Sequence, residues 1–184
     1  MASLVLQSSR RPNILVTGTP GTGKSSLAEA ISKKIGFEYL NVGDLVRESK
    51  FYSEYDEEFD TFIMDDDKED QLLDAIEPVI KEGGVVVDYH SPSIFGESWF
   101  DLVLVLRADT EVLVDRLTQR NYSEKKRTEN MECEIMEVVL EEARESYDES
   151  MVHELPSNTL DDMESNLARV EVWLEAWKAN NGAV

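Results

Sequence analysis

Cysteine, long apolar runs and basic side chains are all scarce in this chain of 184 residues. Its single cysteine, Cys133, has no partner for an internal disulfide, which favours a reducing compartment. Because no stretch approaches the roughly 20 apolar residues of a membrane span, the sequence predicts no membrane helix. Residues 1–12 show neither a long apolar run nor a small-residue cleavage site, so no secretory signal is expected.

The charge balance is strongly acidic, with 39 Asp and Glu against 18 Lys and Arg and a net charge of −21. Such a field repels phosphate backbones and argues against binding of free nucleic acid. It would attract a basic partner such as a ribosomal protein, although the same acidity could serve only to keep the protein in solution. The 41% hydrophobic content suits one compact domain over residues 1–184, and a second full domain is not expected.

Short apolar runs alternate with amphipathic segments along the chain. The runs predict strands at 13–17, 37–41, 85–88, 102–106 and 152–155. Apolar residues at helical spacing predict helices at 25–35, from 43 onward, at 72–80, after Asp109, at 128–147 and from Thr159 to the C-terminal tryptophans. Thr159 and Asp162 form a capping-box-like pair at the start of the last of these helices. The alternation is typical of a doubly wound α/β sandwich built around a parallel sheet.

Three local features of this pattern are less regular. Pro78 is expected to bend or end its helix, because proline lacks the N–H that a helix interior uses. The acidic and aromatic segment 52–70 is expected to be a loop or a short helix. The polar, cationic segment 121–127 is expected to be a loop.

The most specific motif is Gly18-Thr-Pro-Gly-Thr-Gly-Lys-Ser25, which satisfies the full phosphate-loop pattern between a buried strand and an amphipathic helix. Glycines let successive backbone N–H groups turn towards an anion, and the helix start adds free amides and the positive end of the dipole. Lys24 is expected to reach the β and γ phosphates of ATP, and the Ser25 hydroxyl to coordinate Mg²⁺. The predicted ATP-binding residues of this loop are Gly21, Thr22, Gly23, Lys24, Ser25 and Ser26.

Asp88 ends the buried run Val85-Val-Val and is placed to hold the Mg²⁺ shell, through water, beside the phosphate loop. His90 should share its side of an extended segment, because side chains alternate along a strand. His90 could orient the attacking group, relay a proton or contact a phosphate. A structural histidine bonded to nearby backbone, and an ordinary aspartate at a strand end, are the competing interpretations.

Arginines elsewhere could serve the transferred phosphate. Arg116 and Arg120 lie four apart on one predicted helix and lead into the cationic segment, which suggests a lid that closes over the nucleotide and excludes water. Arg47, just beyond Gly43 and Asp44, could bind the phosphate of a second substrate. Solvated surface charges and a surface ion pair are the alternatives.

Nine short segments carry a family resemblance. They are Pro12-Asn-Ile-Leu, Gly18-Thr-Pro-Gly, Asn41-Val-Gly-Asp, Tyr55-Asp-Glu-Glu, Val87-Asp-Tyr-His, Trp99-Phe, Glu124-Lys-Lys, Cys133-Glu and Val152-His-Glu-Leu-Pro-Ser-Asn. With them the chain, from about Pro12 on, resembles the adenylate kinase superfamily, and within it the nuclear adenylate kinase isoenzyme group, also called coilin-interacting nuclear ATPase. Fungal members of that group act in assembly of the small ribosomal subunit.

The resemblance implies a P-loop NTPase fold, a three-layer sandwich with about five parallel strands. It implies a segment binding the nucleoside monophosphate (NMP) at about 41–65 and a short lid, without zinc ligands, at about 119–129. ATP, ADP and AMP would be the ligands, with Mg²⁺ as cofactor. Gly43, Asp44 and Arg47 would contact AMP. Arg120, Asn158 and Thr159 would border the adenine of ATP.

The same resemblance implies adenylate kinase and ATPase activity, with catalytic roles for Lys24, Asp88, His90, Arg116 and Arg120. It also implies a basic small-subunit ribosomal protein as partner during 18S rRNA maturation, in nucleus and cytoplasm. A monomer is the expected state.

Two departures from ordinary adenylate kinases weaken the expected AMP site. The usual Gly-Phe-Pro-Arg stretch after the strand-end aspartate is replaced by Tyr89-His-Ser-Pro, which has no arginine. The usual arginine pair after the lid has only Arg127 and Arg144 as candidates. Two functions therefore stay open: reversible phosphoryl transfer between ATP and AMP, or a nucleotide-gated binding protein with ATPase activity and little AMP kinase activity.

Overall fold

The computed structural model describes residues 10–59 and 61–182. The strands in this part of the chain are β1 (Ile14–Gly18), β2 (Glu38–Asn41), β3 (Glu54–Asp56), β4 (Thr61–Ile63), β5 (Val85–Asp88), β6 (Leu102–Arg107) and β7 (Val152–Pro156). The α-helices are α1 (Lys24–Ile35), α2 (Val42–Ser49), α3 (Asp66–Glu82), α4 (Thr110–Gln119), α5 (Glu124–Ile135), α6 (Val138–Ser146) and α7 (Leu160–Asn181). Short 3₁₀ turns occur at Pro92–Ile94, Glu97–Trp99 and Glu149–Met151. None of the described helices is long and apolar enough to cross a membrane.

Five strands form one parallel sheet in the order β2-β5-β1-β6-β7. The prediction of a parallel sheet of about five strands between helices is confirmed. The order in which strands are added changes at β1: β2 and β5 lie on one side of it, and the chain then crosses to the other side to form β6 and β7. In such sheets ligands bind at the carboxyl ends of the strands at this point, which is where the phosphate loop follows β1.

Alternating side chains on the strands build two cores, one on each face of the sheet. Leu15, Val87 and Val103 face a core completed by α2, α3 and α6. Ile14 and Leu104 face the other core, which α1 and α7 complete. β1 is buried throughout, so the loop that follows it begins on a fixed support.

The helix predicted at 72–80 is longer at both ends and is not terminated by its proline. Asp65 caps α3 by accepting a hydrogen bond from the Lys68 N–H at 3.0 Å, and the helix runs on past Pro78 to Glu82. The carbonyl that Pro78 leaves without an N–H partner belongs to Asp74, and both residues are exposed. Water can therefore satisfy that carbonyl.

The segment predicted as loop or short helix at 52–70 instead contains an antiparallel hairpin, β3–β4. Tyr52 and Tyr55 pack their rings on Phe62, with centroids 4.4 and 5.3 Å apart. Ser53 donates its backbone N–H to the Ile63 carbonyl at 2.8 Å. Cross-strand aromatic contacts thus hold an acidic stretch extended.

The predicted loop 121–127 and helix 128–147 are also corrected. Helix α5 begins at Glu124, because the Ser123 hydroxyl accepts the Lys126 N–H at 3.2 Å and caps it. The expected single helix is two, α5 and α6, separated at Glu137, whose φ of 57° is left-handed. Arg107 holds this break by pairing with Glu137 at 3.1 Å.

Candidate nucleotide site

The loop between β1 and α1 is folded upon the carbonyl of Thr19. That oxygen accepts the Thr22 N–H at 3.2 Å and the Thr22 hydroxyl at 2.8 Å. Gly21 has φ 97°, and a Cβ there would lie 2.8 Å from Leu113 Cδ1 and 2.9 Å from Leu117 Cδ2. Glycine is therefore required both for the turn and for packing against α4.

Lys24 lies at the first turn of α1, with its ammonium turned back into this loop. Its Nζ donates to the Thr19 carbonyl at 3.2 Å. Burial is the main reason that the pKa of Lys24 falls to about 8; the positive charge of Arg120 lowers it further, while Asp88 opposes the change. The loop thus presents a partly desolvated cation where the motif predicts the β and γ phosphates.

Asp88 reaches the same place from the end of β5. It is 3% exposed, and its Oδ2 accepts hydrogen bonds from Ser25 Oγ at 2.6 Å, Asn41 Nδ2 at 3.0 Å and Tyr39 OH at 3.1 Å. The register of β2 on β5 sets Asn41 directly opposite Asp88. A buried carboxylate and a hydroxyl therefore meet at the carboxyl ends of neighbouring strands.

These two groups are the residues that would hold Mg²⁺. Hydroxyl and carboxylate oxygens are the hard donors that this ion prefers, and it keeps water or phosphate oxygens in its remaining positions. Within residues 10–59 and 61–182 no cluster of three or more His, Cys, Asp or Glu side chains could bind a metal by itself. A donor set this small suits an ion that arrives with its nucleotide.

A cavity of about 270 Å³ lies beside the loop, where the adenine of ATP was expected. Gly23, Ser26, Asn158 and Thr159 are among its lining residues. Arg116 holds its wall, because the guanidinium donates to the carbonyls of Ser157 at 2.7 Å, Asn158 at 3.2 Å and Gly21 at 3.4 Å. The predicted capping box at the start of α7, formed by Thr159 and Asp162, is present and fixes the other side.

Arg120 ends α4 and is exposed. Its charge is close enough to lower the pKa of Lys24 and of Arg116. Arg116 is thus engaged with the backbone carbonyls of Gly21, Ser157 and Asn158, whereas Arg120 is exposed and does not line the cavity. Their roles at the phosphates and at the adenine stay predictions.

A second cavity, of about 320 Å³, lies on the other side of the loop. His90, Pro20, Lys126, Glu129 and Glu142 are among its lining residues. His90 keeps an exposed surface, yet loss of hydration inside the cleft, followed by the charge of Lys24, lowers the pKa of His90 to about 4. The imidazole is therefore neutral at pH 7.

The predicted AMP residues lie apart from this second cavity, on α2. Gly43, Asp44 and Arg47 are exposed, and Arg47 forms an ion pair with Asp44 one helical turn away. The structure therefore brings Lys24, Ser25 and Asp88 together, whereas the residues predicted for AMP are exposed on α2 and line neither cavity.

Sequence reasoning missed three polar residues that shape the site. Tyr39 and Asn41 hold Asp88 through hydrogen bonds to its carboxylate. Their spacing of two residues on β2 could have indicated this, because it places both side chains on the same side of the strand. Glu134 of α5 accepts the Thr19 hydroxyl at 2.5 Å. Glu134 belongs to the marker Cys133-Glu, but no local pattern indicated a role for its carboxylate at the phosphate loop.

Comparison with known proteins agrees with this geometry. A family model described as an AAA domain matches residues 14–137. The adenylate kinase isoenzyme 6 homolog of Caenorhabditis elegans is 53% identical over 88% of this chain and 88% of its own. The adenylate kinase isoenzyme 6 homolog of Dictyostelium discoideum is 46% identical over 93% and 96%, and the homolog FAP7 of Saccharomyces cerevisiae is 43% identical over 90% and 83%.

Solved structures show the same fold at low identity. Shikimate kinase from Bacteroides thetaiotaomicron superposes with a TM-score of 0.62 at 19% identity, covering 89% of this chain and 98% of that one. A gluconokinase from Sinorhizobium meliloti gives 0.53 at 19% identity over 90% and 98%. The fold is therefore that of P-loop kinases, and the relatives go further: the chain belongs to the adenylate kinase isoenzyme 6 family.

Proposed function

We propose that this chain is an adenylate kinase, which transfers the γ-phosphoryl group of ATP to a phosphate oxygen of AMP and yields two ADP. The same site would hydrolyse ATP when water takes the place of AMP. The observation that carries the proposal is the convergence of Lys24, Ser25 and Asp88 between two separate cavities. One cavity lies where the donor base was expected, and the other, which His90 lines, would receive the acceptor.

The chemistry asks mainly for positioning and charge. Loop amides and Lys24 would bind the β and γ phosphates, and Ser25 with Asp88 would hold Mg²⁺, which neutralises part of the phosphate charge when bound. Arg116 would keep the wall that orients the adenine between Asn158 and Thr159, while Arg120 packs over the base. His90, being neutral at pH 7, would orient the acceptor or the attacking water.

Closure of the site would involve the NMP-binding segment at about 41–65 and the lid at about 119–129 within one domain. These segments already touch, because Lys125 of α5 pairs with Glu58 at 2.5 Å and lies 4.0 Å from the centre of the Phe59 ring. Phe59 also lines the second cavity, so the contact lies beside it. Holding it shut would exclude water during transfer to AMP.

Arg47→Ala tests whether AMP is a true substrate. If Arg47 binds the AMP phosphate, the variant should lose at least tenfold in kcat/KM for AMP, because one charge-assisted bond is removed. Hydrolysis of ATP without AMP should persist. A coupled assay of ADP formation with and without AMP measures both rates.

Arg10→Ala is the matched control for that test, since Arg10 is likewise an exposed arginine paired with an aspartate, Asp101 at 2.9 Å. It should leave both rates unchanged. Equal rates with AMP in Arg47→Ala and wild type would contradict an AMP site at α2.

A second candidate is a nucleotide-gated binding protein whose ATPase cycle changes its grip on a partner. Two observations favour it. Glu129 and Glu142 line the acceptor cavity, which disfavours a phosphate dianion, and Arg47 is engaged by Asp44. The proposed partner is a basic small-subunit ribosomal protein, met in nucleus and cytoplasm during 18S rRNA maturation, for which the net charge of −21 provides attraction.

We expect such a protein to bind in an ATP-dependent manner and to change the ATPase rate severalfold. Titration calorimetry with Mg·ATP, with Mg·ADP and without nucleotide would compare the affinities, and hydrolysis would be followed in parallel. A basic protein of equal charge from outside the ribosome is the control. Identical affinities in all three states would contradict gating.

A further inference from the structure

We propose that Glu134 is a positioning residue for the phosphate loop: its carboxylate acts through the Thr19 hydroxyl to hold the loop in the conformation that binds Mg·ATP. This inference rests on the proposed binding of ATP at that loop. It adds a residue from α5, far from the loop in sequence, that touches no substrate.

The Glu134 carboxylate is buried. Glu134 is 5% exposed, whereas its helix neighbours Glu132 and Ile135 are exposed. A buried carboxylate is costly unless hydrogen bonds and opposite charge compensate it. Glu134 therefore occupies an inward position that an apolar residue would fill at lower cost, and its contacts should explain why an acid stands there.

The two oxygens of the Glu134 carboxylate accept hydrogen bonds from different parts of the fold. Oε1 accepts Arg107 Nε at 2.7 Å and the Ala108 N–H at 3.0 Å, which ties α5 to the end of β6. Oε2 accepts the Thr19 hydroxyl at 2.5 Å. The first set fastens the carboxylate to the sheet, so that the second bond can fix the loop.

Thr19 is the residue on which the phosphate loop is folded. Thr19 is 1% exposed, and its carbonyl accepts the Thr22 N–H, the Thr22 hydroxyl and the Lys24 ammonium. The loop's internal bonds thus converge on one peptide. The side chain of that same residue is anchored by Glu134, which is how an acid on α5 can set the position of Lys24.

A purely structural role makes a different prediction. If Glu134 served only to join α5 to β6 through Arg107, its loss would lower the free energy of unfolding and leave the affinity for ATP unchanged. If it acts through Thr19, its loss should weaken ATP binding, and a second change at Thr19 should add nothing. A double-mutant cycle separates these cases.

The experiment compares wild type, Glu134→Gln, Thr19→Val and the double variant, all close in shape to the native side chains. Calorimetry would give Kd for Mg·ATP, steady-state assays would give KM and kcat, and urea unfolding would report stability. We expect about a tenfold rise in Kd and in KM for ATP in each single variant, the scale of one hydrogen bond to a charged group. The double variant should match the singles, and kcat at saturating ATP should stay within about twofold.

Glu132→Gln is the matched control, because Glu132 is an exposed acid of the same helix without an ion pair among the described residues. It should bind Mg·ATP as wild type does. Unchanged Kd in Glu134→Gln, or losses that multiply to about a hundredfold in the double variant, would overturn the proposal. If Glu134→Gln does not fold, Thr19→Val decides: a tenfold rise supports the anchor and an unchanged Kd refutes it. Absence of binding by wild type would instead refute the proposed function.

Discussion

Replacing Lys24 by methionine is expected to reduce kcat/KM for ATP by about 100- to 1,000-fold, the scale seen when one preorganised electrostatic group is removed. The ammonium is partly desolvated and already directed into the phosphate loop, so its charge acts at low screening on the transferred group. Methionine keeps the length and apolar stem but removes the charge. Steady-state assays of ADP formation measure the loss.

Lys33→Met is the control for this change, because Lys33 lies on the same helix, is exposed and, among the described residues, pairs only with Glu29 at 2.7 Å. It should turn over ATP as wild type does. In the described part of the chain the Lys24 ammonium donates to a single acceptor, a loop carbonyl, so the free energy of unfolding of Lys24→Met should be close to that of wild type. A variant that folds and retains more than about a tenth of the activity would place the phosphates elsewhere.

Asp88→Asn should have the second largest effect, a fall of about 100-fold in ATP turnover together with a higher Mg²⁺ requirement. One carboxylate oxygen accepts hydrogen bonds from Ser25, Asn41 and Tyr39. The amide oxygen of asparagine can accept the same bonds, so much of that geometry can be preserved. What it removes is the negative charge beside the Ser25 hydroxyl. Titration of the rate with Mg²⁺ at fixed ATP would show both changes.

Asp74→Asn, an exposed aspartate on α3, controls for the loss of one charge from an acidic surface. It should not alter the Mg²⁺ dependence. Full activity of Asp88→Asn at ordinary Mg²⁺ concentration would remove Asp88 from the metal site and leave it a structural acceptor for β2.

The parallel sheet and the phosphate loop could be predicted because their signals are local. Each central strand is a continuous apolar run, and β1 leads directly into the glycine motif, so the carboxyl edge of the sheet follows from the chain alone. The capping box of Thr159 and Asp162 was equally visible. These features depend on residues within a few positions of each other.

The incorrect predictions of secondary structure concern segments whose conformation depends on residues distant in sequence or on solvent. The separation of α5 from α6 depends on Arg107, which comes from β6 and pairs with Glu137. The β3–β4 hairpin depends on aromatic contacts across an acidic stretch of low strand propensity. Helix α3 continues past Pro78 because Asp74, whose carbonyl loses its N–H partner, is exposed and open to hydration, which a sequence pattern does not show.

The sequence identified polar groups that the structure brings together at the candidate site, but it did not identify the residues that hold them in place. Lys24, Ser25 and Asp88 follow from one motif and one strand end. Their partners depend on pairing between separate segments: Asn41 meets Asp88 through strand register, and Glu134 meets Thr19 across 115 positions of sequence. The period-2 spacing of β2 indicates which way Asn41 faces, but nothing in the sequence of α5 marks Glu134 as the partner of Thr19.

The wall of the cavity beside the phosphate loop, where the adenine is proposed to bind, has a consequence for biosynthesis. Ser157 donates its hydroxyl to the Thr22 carbonyl at 2.6 Å across 135 positions, and Arg116 joins the same two segments. A growing polypeptide that has exposed its phosphate loop therefore still lacks one side of the nucleotide pocket until the β7–α7 turn has been made. Translation products that stop before that turn should not be retained on immobilised ATP.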